Sequence, residues 1–291
     1  MKILLFGATG RIGNKILHYL MNIEKVHVES ITREKFDLED IWNIHTLFNP
    51  VPDYIINAAG YTDVNKAEEQ TEKCRILNAD VPKEIARQCE KWGVGLLHIS
   101  SGQIFDGKNK VPYREYHIPN ALSHYARQKI MGEKVVQFMH PSTLILRVGD
   151  IYDNRNSILN KLYKMAGKVD HFNAYIDRMV GPTSTDLVGR IIGKIIEGKH
   201  YDHMEGIYHL ACQGGASSLR FLSYAIDLMV KEYNMSPLVI NPISCRDAKE
   251  VAPRPRYSIM NSELIENEME ITLPNWDDEL ESFIKKYKLE S

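Results

Sequence analysis

The sequence predicts an α/β protein, with a doubly wound parallel sheet followed by a smaller C-terminal part. Three observations lead to this prediction. Short apolar runs alternate with helical stretches through the first half of the chain, a glycine-rich turn directly follows the first run, and the alternation weakens after about residue 150. Strands that alternate with helices form parallel βαβ units, with helices on both faces of one sheet.

Each element is predicted from its apolar pattern and its length. The apolar runs have the length of buried strands, and the stretches between them have helical spacing. The predicted strands cover residues 2–6, 26–31, 53–57, 94–99, 143–148 and 206–211. The predicted helices cover residues 11–22, 38–48, 65–92, 122–139 and 276–287. Pro82 predicts a break or a fresh start within the third of these helices.

Composition and charge exclude several classes of function. The 291 residues are 44% hydrophobic and 25% charged, and a formal net charge of −2 gives no reason to expect nucleic acid or membrane as a partner. No stretch approaches the length of a membrane helix, and the N-terminus does not read as a signal peptide. The four cysteines lack C-x-x-C spacing, so we expect free thiols in a reducing compartment and a cytoplasmic protein.

The glycine-rich turn, GATGRIG at residues 7–13, leaves the first strand and opens the first helix. Glycines let the backbone turn tightly and approach a pyrophosphate, and the start of a helix offers free N–H groups. A purely structural turn is the alternative, but the position after a buried strand favours a dinucleotide site in a Rossmann-type domain. The predicted cofactor contacts here are Gly7, Gly10, Arg11, Ile12 and Gly13.

Charged residues near the second strand bear on the choice of dinucleotide. Arg33 follows that strand and Arg11 lies in the glycine turn, so two guanidinium groups favour the 2′-phosphate of NADPH. Glu29 lies in the strand and could accept a bond from a ribose hydroxyl, so NADH stays an alternative. Asp37 and Leu38 are expected at the adenine end.

Tyr125 and Lys129 are four positions apart, which places both on one face of a helix. Taken alone, this spacing is typical of an ordinary surface pair. The preceding strand, however, ends in HISS at residues 98–101, and ligands bind at the carboxyl ends of parallel strands. Ser100 and Ser101 are therefore expected beside the cofactor, with the tyrosine and the lysine on the next helix.

This combination predicts reduction of a carbonyl group. Ser101 would hold the substrate oxygen and Tyr125 would donate a proton to it. We expect Lys129 and the positive nicotinamide of the oxidised cofactor to lower the pKa of the phenol. Lys129 would also reach the nicotinamide ribose, so Tyr125 and Lys129 count as cofactor contacts together with Ser100.

The chain resembles the dTDP-4-dehydrorhamnose reductase family, within the extended short-chain dehydrogenase/reductases. The segments that carry the resemblance include KILLFGATGRIG (2–13), DYIINAAGYTDVNKAEE (53–69), HISSGQIFDG (98–107), GPTSTDL (181–187) and APRPRYS (252–258). The resemblance implies NAD(P)H-dependent reduction of a nucleotide-linked 4-keto deoxysugar, with dTDP-4-dehydro-L-rhamnose the leading substrate, in dTDP-rhamnose and polysaccharide biosynthesis. It also implies that Ala58, Ala59 and Gly60 form a cofactor loop.

Three positions depart from the family pattern. Gly102 stands where the family usually has an aspartate, Gln103 where it has a tyrosine, and Asp150 where it has a tryptophan. Ser101, Gly102 and Asp150 are expected on the substrate side, so the changes leave open which sugar is reduced. Arg254 and Arg256 are candidates for the substrate diphosphate, and a loop that only packs on the surface is the alternative.

The predicted division of the chain follows from the same pattern. Residues 1–150 are expected to form the NAD(P)-binding domain, to which the chain returns around 181–212. Residues 151–180 and 213–291 are expected to form the substrate-binding part. Two other functions stay open: a reductase of a different sugar nucleotide, and a non-catalytic NADP-binding regulatory subunit like that of methionine adenosyltransferase. We predict no metal site, and leave open a requirement for Mg²⁺ and a homodimer.

Overall fold

A six-stranded, all-parallel sheet forms the centre of the protein. The computed structural model describes residues 1–155, 157–169 and 171–287. The strands are β1 (Lys2–Phe6), β2 (His27–Ile31), β3 (Tyr54–Asn57), β4 (Gly95–Ser101), β5 (Leu144–Val148), β6 (Asp150–Tyr152), β7 (His171–Tyr175), β8 (Met179–Val180), β9 (Pro182–Ser184), β10 (Gly206–Leu210), β11 (Ala216–Ser217) and β12 (Val239–Ile243). The helices are α1 (Arg11–Leu20), α2 (Thr71–Arg75), α3 (Val81–Trp92), α4 (His124–Met139), α5 (Ile158–Met165), α6 (Thr185–Glu197), α7 (Ser218–Tyr233), α8 (Glu263–Glu268) and α9 (Trp276–Lys286).

The strand order of the main sheet is β10-β5-β4-β3-β1-β2. Strands β3 and β5 are buried along their whole length, because helices cover both faces of the sheet. The order reverses between β1 and β3, whose register pairs Phe6 with Asn57. In a doubly wound sheet, ligands bind at such a reversal, outside the carboxyl ends of the strands. The predicted fold class is confirmed.

The remaining strands pair in three small sheets. Strand β6 pairs with β9 and β7 with β12, both in parallel, and β8 pairs antiparallel with β11. Tyr152, at the end of β6, packs against Phe283 with the ring centroids 5.2 Å apart, which joins this region to α9. The predicted substrate-binding part, 151–180 and 213–291, includes β7, β8, β11 and β12, and its residues 156, 170 and 288–291 lie outside the described residues.

Several helix predictions need correction. The predicted helix 38–48 is a 3₁₀ helix, Ile41–Phe48. Pro82 was predicted to mark a break or a fresh start, and α3 does start at Val81 with Pro82 in its first turn, after a π-helical turn, Ile76–Asp80, that joins it to α2. A proline is tolerated in a first turn, where the missing N–H removes no intrahelical bond. No helix in the described part of the chain is long and apolar enough to cross a membrane.

Candidate active site

The glycine turn lies at the carboxyl end of β1, where the backbone is too crowded for side chains. Gly7 has a φ of +77°, and a Cβ atom there would lie 2.6 Å from the amide nitrogen of Ala59. A Cβ atom at Gly13 would lie 2.1 Å from the carbonyl oxygen of Gly7. Gly10 precedes α1 and offers no side-chain cap, so the first N–H groups of the helix stay available. The turn therefore fits a dinucleotide pyrophosphate.

The two arginines predicted at the cofactor 2′-phosphate differ in their surroundings. Arg33 is exposed after β2, and we find no ion pair for its side chain among the described residues. Arg11 instead forms an ion pair with Asp153, and its Nη2 donates to the carbonyl oxygen of Ile151 at 3.0 Å. The guanidinium of Arg11 is thus tied to the segment after β6, and Arg33 is the better placed of the two.

The other residues predicted at the adenosine end lie at the edge of the sheet. Glu29 forms an ion pair with Lys2 at 3.1 Å, which neutralises the acidic group that would favour NADH. Asp37 is exposed and accepts a hydrogen bond from the amide of Glu39 at 3.0 Å. Leu38 packs against the core beneath this edge. The role of Asp37 and Leu38 at the adenine end stays a prediction.

The loop Ala58–Gly60 is held by two asparagines to which the sequence analysis gave no role. Asn57 Oδ1 accepts a hydrogen bond from the amide of Ala59 at 3.1 Å. Asn78 accepts from the amide of Tyr61 and donates to its carbonyl oxygen, both at 3.0 Å. Asn78 lies in the π-helical turn, a distortion often found at functional sites. Its segment, LNAD at residues 77–80, has no local pattern that indicates this role.

The structure brings the three predicted catalytic residues together. Ser101 ends β4, and Tyr125 and Lys129 lie one turn apart on the buried face of α4. The hydroxyl of Ser101 is close enough to that of Tyr125 to act on it, and it favours a lower pKa of the phenol. Lys129 Nζ donates to the carbonyl oxygen of Ile99 at 3.0 Å. A Cβ atom on Gly60 would lie 3.4 Å from this ammonium group, so the lysine borders the cofactor loop.

Burial dominates the titration of this cluster. It raises the pKa of Tyr125 to about 12, although the nearby hydroxyl of Ser101 acts to lower this pKa. It lowers the pKa of Lys129 to about 8, opposed by the nearby charge of Glu133. The protein groups alone therefore do not lower the pKa of Tyr125, contrary to the expectation for Lys129, because desolvation of the phenolate is the largest effect on it.

Behind the cluster lies a buried ion pair that the sequence analysis missed. Arg147 of β5 binds Glu133 of α4, with Nη2 2.8 Å from Oε2 and Nε 3.0 Å from Oε1 and 3.2 Å from Oε2. The hydroxyl of Ser100 donates to Glu133, so this group is engaged on the helix side rather than free for the cofactor. Glu133 lies two turns after Tyr125 on the same helix face, and this spacing in the sequence could have indicated that it lies near the cluster.

His98 is buried beside the cluster. Its Nδ1 lies 3.2 Å from Nδ2 of Asn57. Burial and the charge of Lys129 lower its pKa well below the usual value, so the imidazole stays neutral. Over the described ranges, with residues 156, 170 and 288–291 left out, no group of three or more His, Cys, Asp or Glu side chains could hold a metal ion.

The substrate side begins directly after Ser101. The amide of Gln103 donates to Ser101 Oγ at 3.2 Å, and its side chain reaches Asp150 Oδ1 at 3.5 Å. Asp150 Oδ2 accepts from Ser258 Oγ at 2.6 Å, and burial raises the pKa of this carboxyl group. A Cβ atom on Gly102 would lie 2.9 Å from the sulfur of Met260, so the methionine occupies the space that a larger residue would need.

Asp150 also lines a cavity of about 320 Å³, the size of a small-ligand site. Arg254 and Arg256 are not among its lining residues. Arg254 donates to the carbonyl oxygen of Ala252 at 3.1 Å, and Arg256 is exposed. Arg178 is the arginine that lines the cavity. A larger cavity, of about 660 Å³, lies beside α6 and α9 and contains no predicted site residue.

Comparison with known proteins agrees with this geometry. The family model described as the RmlD substrate binding domain matches residues 1–289. The chain belongs to this family. It is 29% identical over 259 residues to a dTDP-4-dehydrorhamnose reductase of Sinorhizobium fredii, covering 87% of each chain. It is 26% identical over 283 residues to the Salmonella typhimurium reductase, covering 95% of each.

Solved structures show the same fold over the whole family match. The chain superposes with a TM-score of 0.90 on a dTDP-4-dehydrorhamnose reductase of Clostridium acetobutylicum, at 28% identity, covering 98% of this chain and 99% of that one. The corresponding protein of Bacillus anthracis, solved in complex with NADP, gives a TM-score of 0.89 at 24% identity, covering 98% and 99%. The second likeness shows the fold alone.

Proposed function

We propose that this protein reduces the 4-keto group of a nucleotide-linked deoxysugar with NADPH, converting dTDP-4-dehydro-L-rhamnose to dTDP-L-rhamnose. One observation carries the proposal. Ser101, Tyr125 and Lys129 meet at the carboxyl end of β4, beside a glycine turn that fits a dinucleotide. Relatives that match nearly end to end bear the name dTDP-4-dehydrorhamnose reductase, which supports this substrate.

Ser101, Tyr125 and Lys129 have separate roles in the proposed reduction. NADPH, when bound, supplies the hydride to the carbonyl carbon. The hydroxyl groups of Ser101 and Tyr125, which lie near each other, would donate to the ketone oxygen. Tyr125 holds its proton at neutral pH, because burial keeps its pKa at about 12, and it passes this proton to the oxygen as negative charge develops. Lys129 is charged below about pH 8 and stabilises the phenolate left behind.

Support for NADPH rather than NADH rests on Arg33. Its exposed guanidinium follows β2 and can pair with a 2′-phosphate, whereas Glu29 is already paired with Lys2. The structurally similar Bacillus anthracis protein was solved in complex with NADP. NADH stays the alternative, and whether Mg²⁺ is needed stays open.

The other expectations from the sequence stay predictions. These are the division into an NAD(P)-binding domain and a substrate-binding part, a homodimer, and a cytoplasmic location. All four cysteines are free thiols in the structure, which supports a reducing compartment. Light scattering coupled to size-exclusion chromatography would test the dimer directly.

Loss of NADPH absorbance on mixing the protein with dTDP-4-dehydro-L-rhamnose tests the proposed function. We expect rapid oxidation that depends on the keto sugar, with dTDP-L-rhamnose as the product. Protein and NADPH without sugar form the control. If NADPH binds, as followed by its fluorescence, but is not oxidised, this substrate is wrong.

A second candidate is the same reaction on a different sugar nucleotide. The observation that favours it is a carboxylate, Asp150, at the substrate cavity where the family usually has a tryptophan. An acidic group favours a sugar that presents an additional hydroxyl to it. Comparing kcat/KM for 4-keto sugars with a methyl group and with a hydroxymethyl group at C5 separates the two candidates.

A further inference from the structure

Arg178 has an incompletely satisfied guanidinium group inside the substrate cavity. The residue is only 9% exposed. Both carboxylate oxygens of Glu250 lie 2.7 Å from the same atom, Nη2. The Nε–H group is buried and has no hydrogen-bond partner. A buried donor without an acceptor is costly, and an anion with several oxygens could satisfy Nε and the terminal nitrogens together.

The surroundings of Arg178 are those of a nucleotide site. The same cavity is lined by Phe172, Tyr175 and Phe221, and the guanidinium lies 4.2 Å from the centroid of the Tyr175 ring. Aromatic walls suit a nucleoside, and a guanidinium suits its phosphates. The cavity also includes Asp150, whose side chain contacts Gln103 next to the catalytic serine. A ligand bound at Arg178 would therefore extend toward the catalytic cluster.

Glu250 belongs to a segment that crosses this region, which we call the strap (residues 244–258). Asp177 fixes its start, accepting from Ser244 Oγ and from the amide of Cys245, both at 2.7 Å. The amide of Met179 fixes its end, donating to the carbonyl oxygen of Arg256 at 2.7 Å. Between these anchors, the ion pair of Glu250 with Arg178 holds the middle of the strap.

We propose that Arg178 binds the diphosphate of the sugar nucleotide and that Glu250 occupies this position until the substrate enters. The inference rests on the proposed function, which supplies the diphosphate. A diphosphate carries more negative charge than one carboxylate and can accept from Nε as well as from the terminal nitrogens. Its arrival would displace Glu250 and release the middle of the strap, while both anchors stay in place. Arg178 thus replaces Arg254 and Arg256 as the expected diphosphate ligand.

Calorimetric binding of dTDP, without sugar or NADPH, tests the inference. We expect Arg178→Gln to weaken dTDP binding by about tenfold or more, the loss of a charge-assisted hydrogen bond. The control Arg246→Gln removes an exposed arginine from the same strap and should leave binding unchanged. Binding of dTDP to Arg178→Gln with the affinity of the original protein would overturn the proposal.

Removing the charge of Glu250 should have the opposite effect on dTDP binding. Glu250→Gln should tighten dTDP binding by roughly threefold or more, because a neutral amide competes less for the guanidinium. This gain should vanish in the double variant with Arg178→Gln, since the two residues act through one contact. Weaker binding by Glu250→Gln would mean that the carboxylate only supports the fold, and would refute its role as a placeholder.

Two further measurements keep the outcomes distinct. If Arg178→Gln does not fold, as judged by circular dichroism, Arg178→Lys keeps the charge but loses the planar fork, and should still bind dTDP more weakly. Equal affinity would overturn the inference. Because dTDP binding involves no turnover, a protein that binds dTDP through Arg178 but never oxidises NADPH would sink the proposed function alone.

Discussion

The catalytic cluster and the substrate cavity are neighbours in space but are built in different ways. Ser101, Tyr125 and Lys129 come from one strand and the α-helix that follows it. The cavity is assembled from β6, β7, the start of α7 and the turn before β8, with the strap bound to that turn. The proposed catalytic residues thus lie within a short stretch of chain, whereas the residues that line the cavity come from segments far apart in sequence.

The two regions also handle charge differently. In the cluster, Lys129 is buried with only a carbonyl oxygen as its hydrogen-bond partner in the described chain, and burial lowers its pKa to about 8. In the cavity, Arg178 has a carboxylate partner, Glu250, which belongs to the strap. The charge of Lys129 is therefore costly to bury, whereas the charge of Arg178 is paired with a carboxylate that a ligand could replace.

The largest effect is expected from Tyr125→Phe. Turnover should fall by about 10²- to 10⁴-fold, because the proton donor is lost, while NADPH binding is retained. Tyr61→Phe is the matched control, since its hydroxyl contacts only Gln70 among the described residues, near the cofactor loop. Rates from NADPH absorbance and affinities from NADPH fluorescence separate the two steps. Undiminished turnover in Tyr125→Phe would refute the assigned role.

The next effect concerns the charge of Lys129. Turnover should fall as the pH rises through about 8, because the ammonium loses its proton there. Lys129→Met should lose roughly 100-fold in turnover, within the range for a group that assists proton transfer, and should no longer show this step. A pH–rate profile that still falls near pH 8 in the variant would assign the step to another group.

The same lysine should limit stability. Its folded-state pKa, about 8, lies below the usual 10.5, so the unfolded state binds the proton more tightly and stability rises with pH between these values. The difference of 10.5 − 8 = 2.5 corresponds to about 3 kcal/mol of cost at neutral pH, as an upper limit. Lys129→Met should remove this rise, and urea unfolding at pH 7 and pH 10 measures it. A variant that keeps the rise would contradict the assignment.

A smaller effect separates the two arginines at the cofactor. Arg33→Ser should raise the KM for NADPH by about tenfold and leave that for NADH unchanged, because one charge-assisted bond to the 2′-phosphate is lost. Arg11→Ser should change the preference less, since this guanidinium is bound to Asp153 and Ile151. The reverse order of effects would return Arg11 to the 2′-phosphate.

The smallest effect is expected from Asp150→Asn. The amide oxygen can still accept from Ser258 and from the amide of Gly181, so the unfolding free energy should change by about 1 kcal/mol or less. Because burial raises the pKa of Asp150, the original protein loses stability as the pH rises above the usual range of an aspartate. The variant should lack this loss in unfolding measured from pH 4 to 7. A large destabilisation would mean that the carboxylate charge itself is required.

The sequence predicted those features whose chemistry depends on local spacing. The glycine turn and the pair Tyr125 and Lys129 are of this kind, because the start of one helix and the face of another place them. Arg11 was predicted at the 2′-phosphate, but its partner Asp153 is 142 residues away in the chain and nothing near Arg11 indicates it. Asn78 was missed for a similar reason, since its role depends on a π-helical turn that no local pattern announces.

The contacts in the substrate cavity are even harder to predict from local sequence patterns. Arg178 and Glu250 are 72 residues apart, and their pairing exists only because the strap returns to the turn before β8. Arg254 and Arg256 were chosen instead because they stand together in a recognisable segment. A motif shows which residues a family shares, but the packing of distant segments decides which of them reach the ligand.

The order of strands has a consequence for synthesis of the protein. Strand β5 obtains its outer neighbour only from β10, and α1 obtains its closest helix only from α6, where the backbone of Lys15 would lie 2.7 Å from a Cβ atom on Gly189. A nascent chain that ends near residue 150 thus exposes an unpaired strand edge and an uncovered helix face, features that favour aggregation. We therefore expect the cofactor-binding half to mature only after the ribosome has passed residue 210, late in translation.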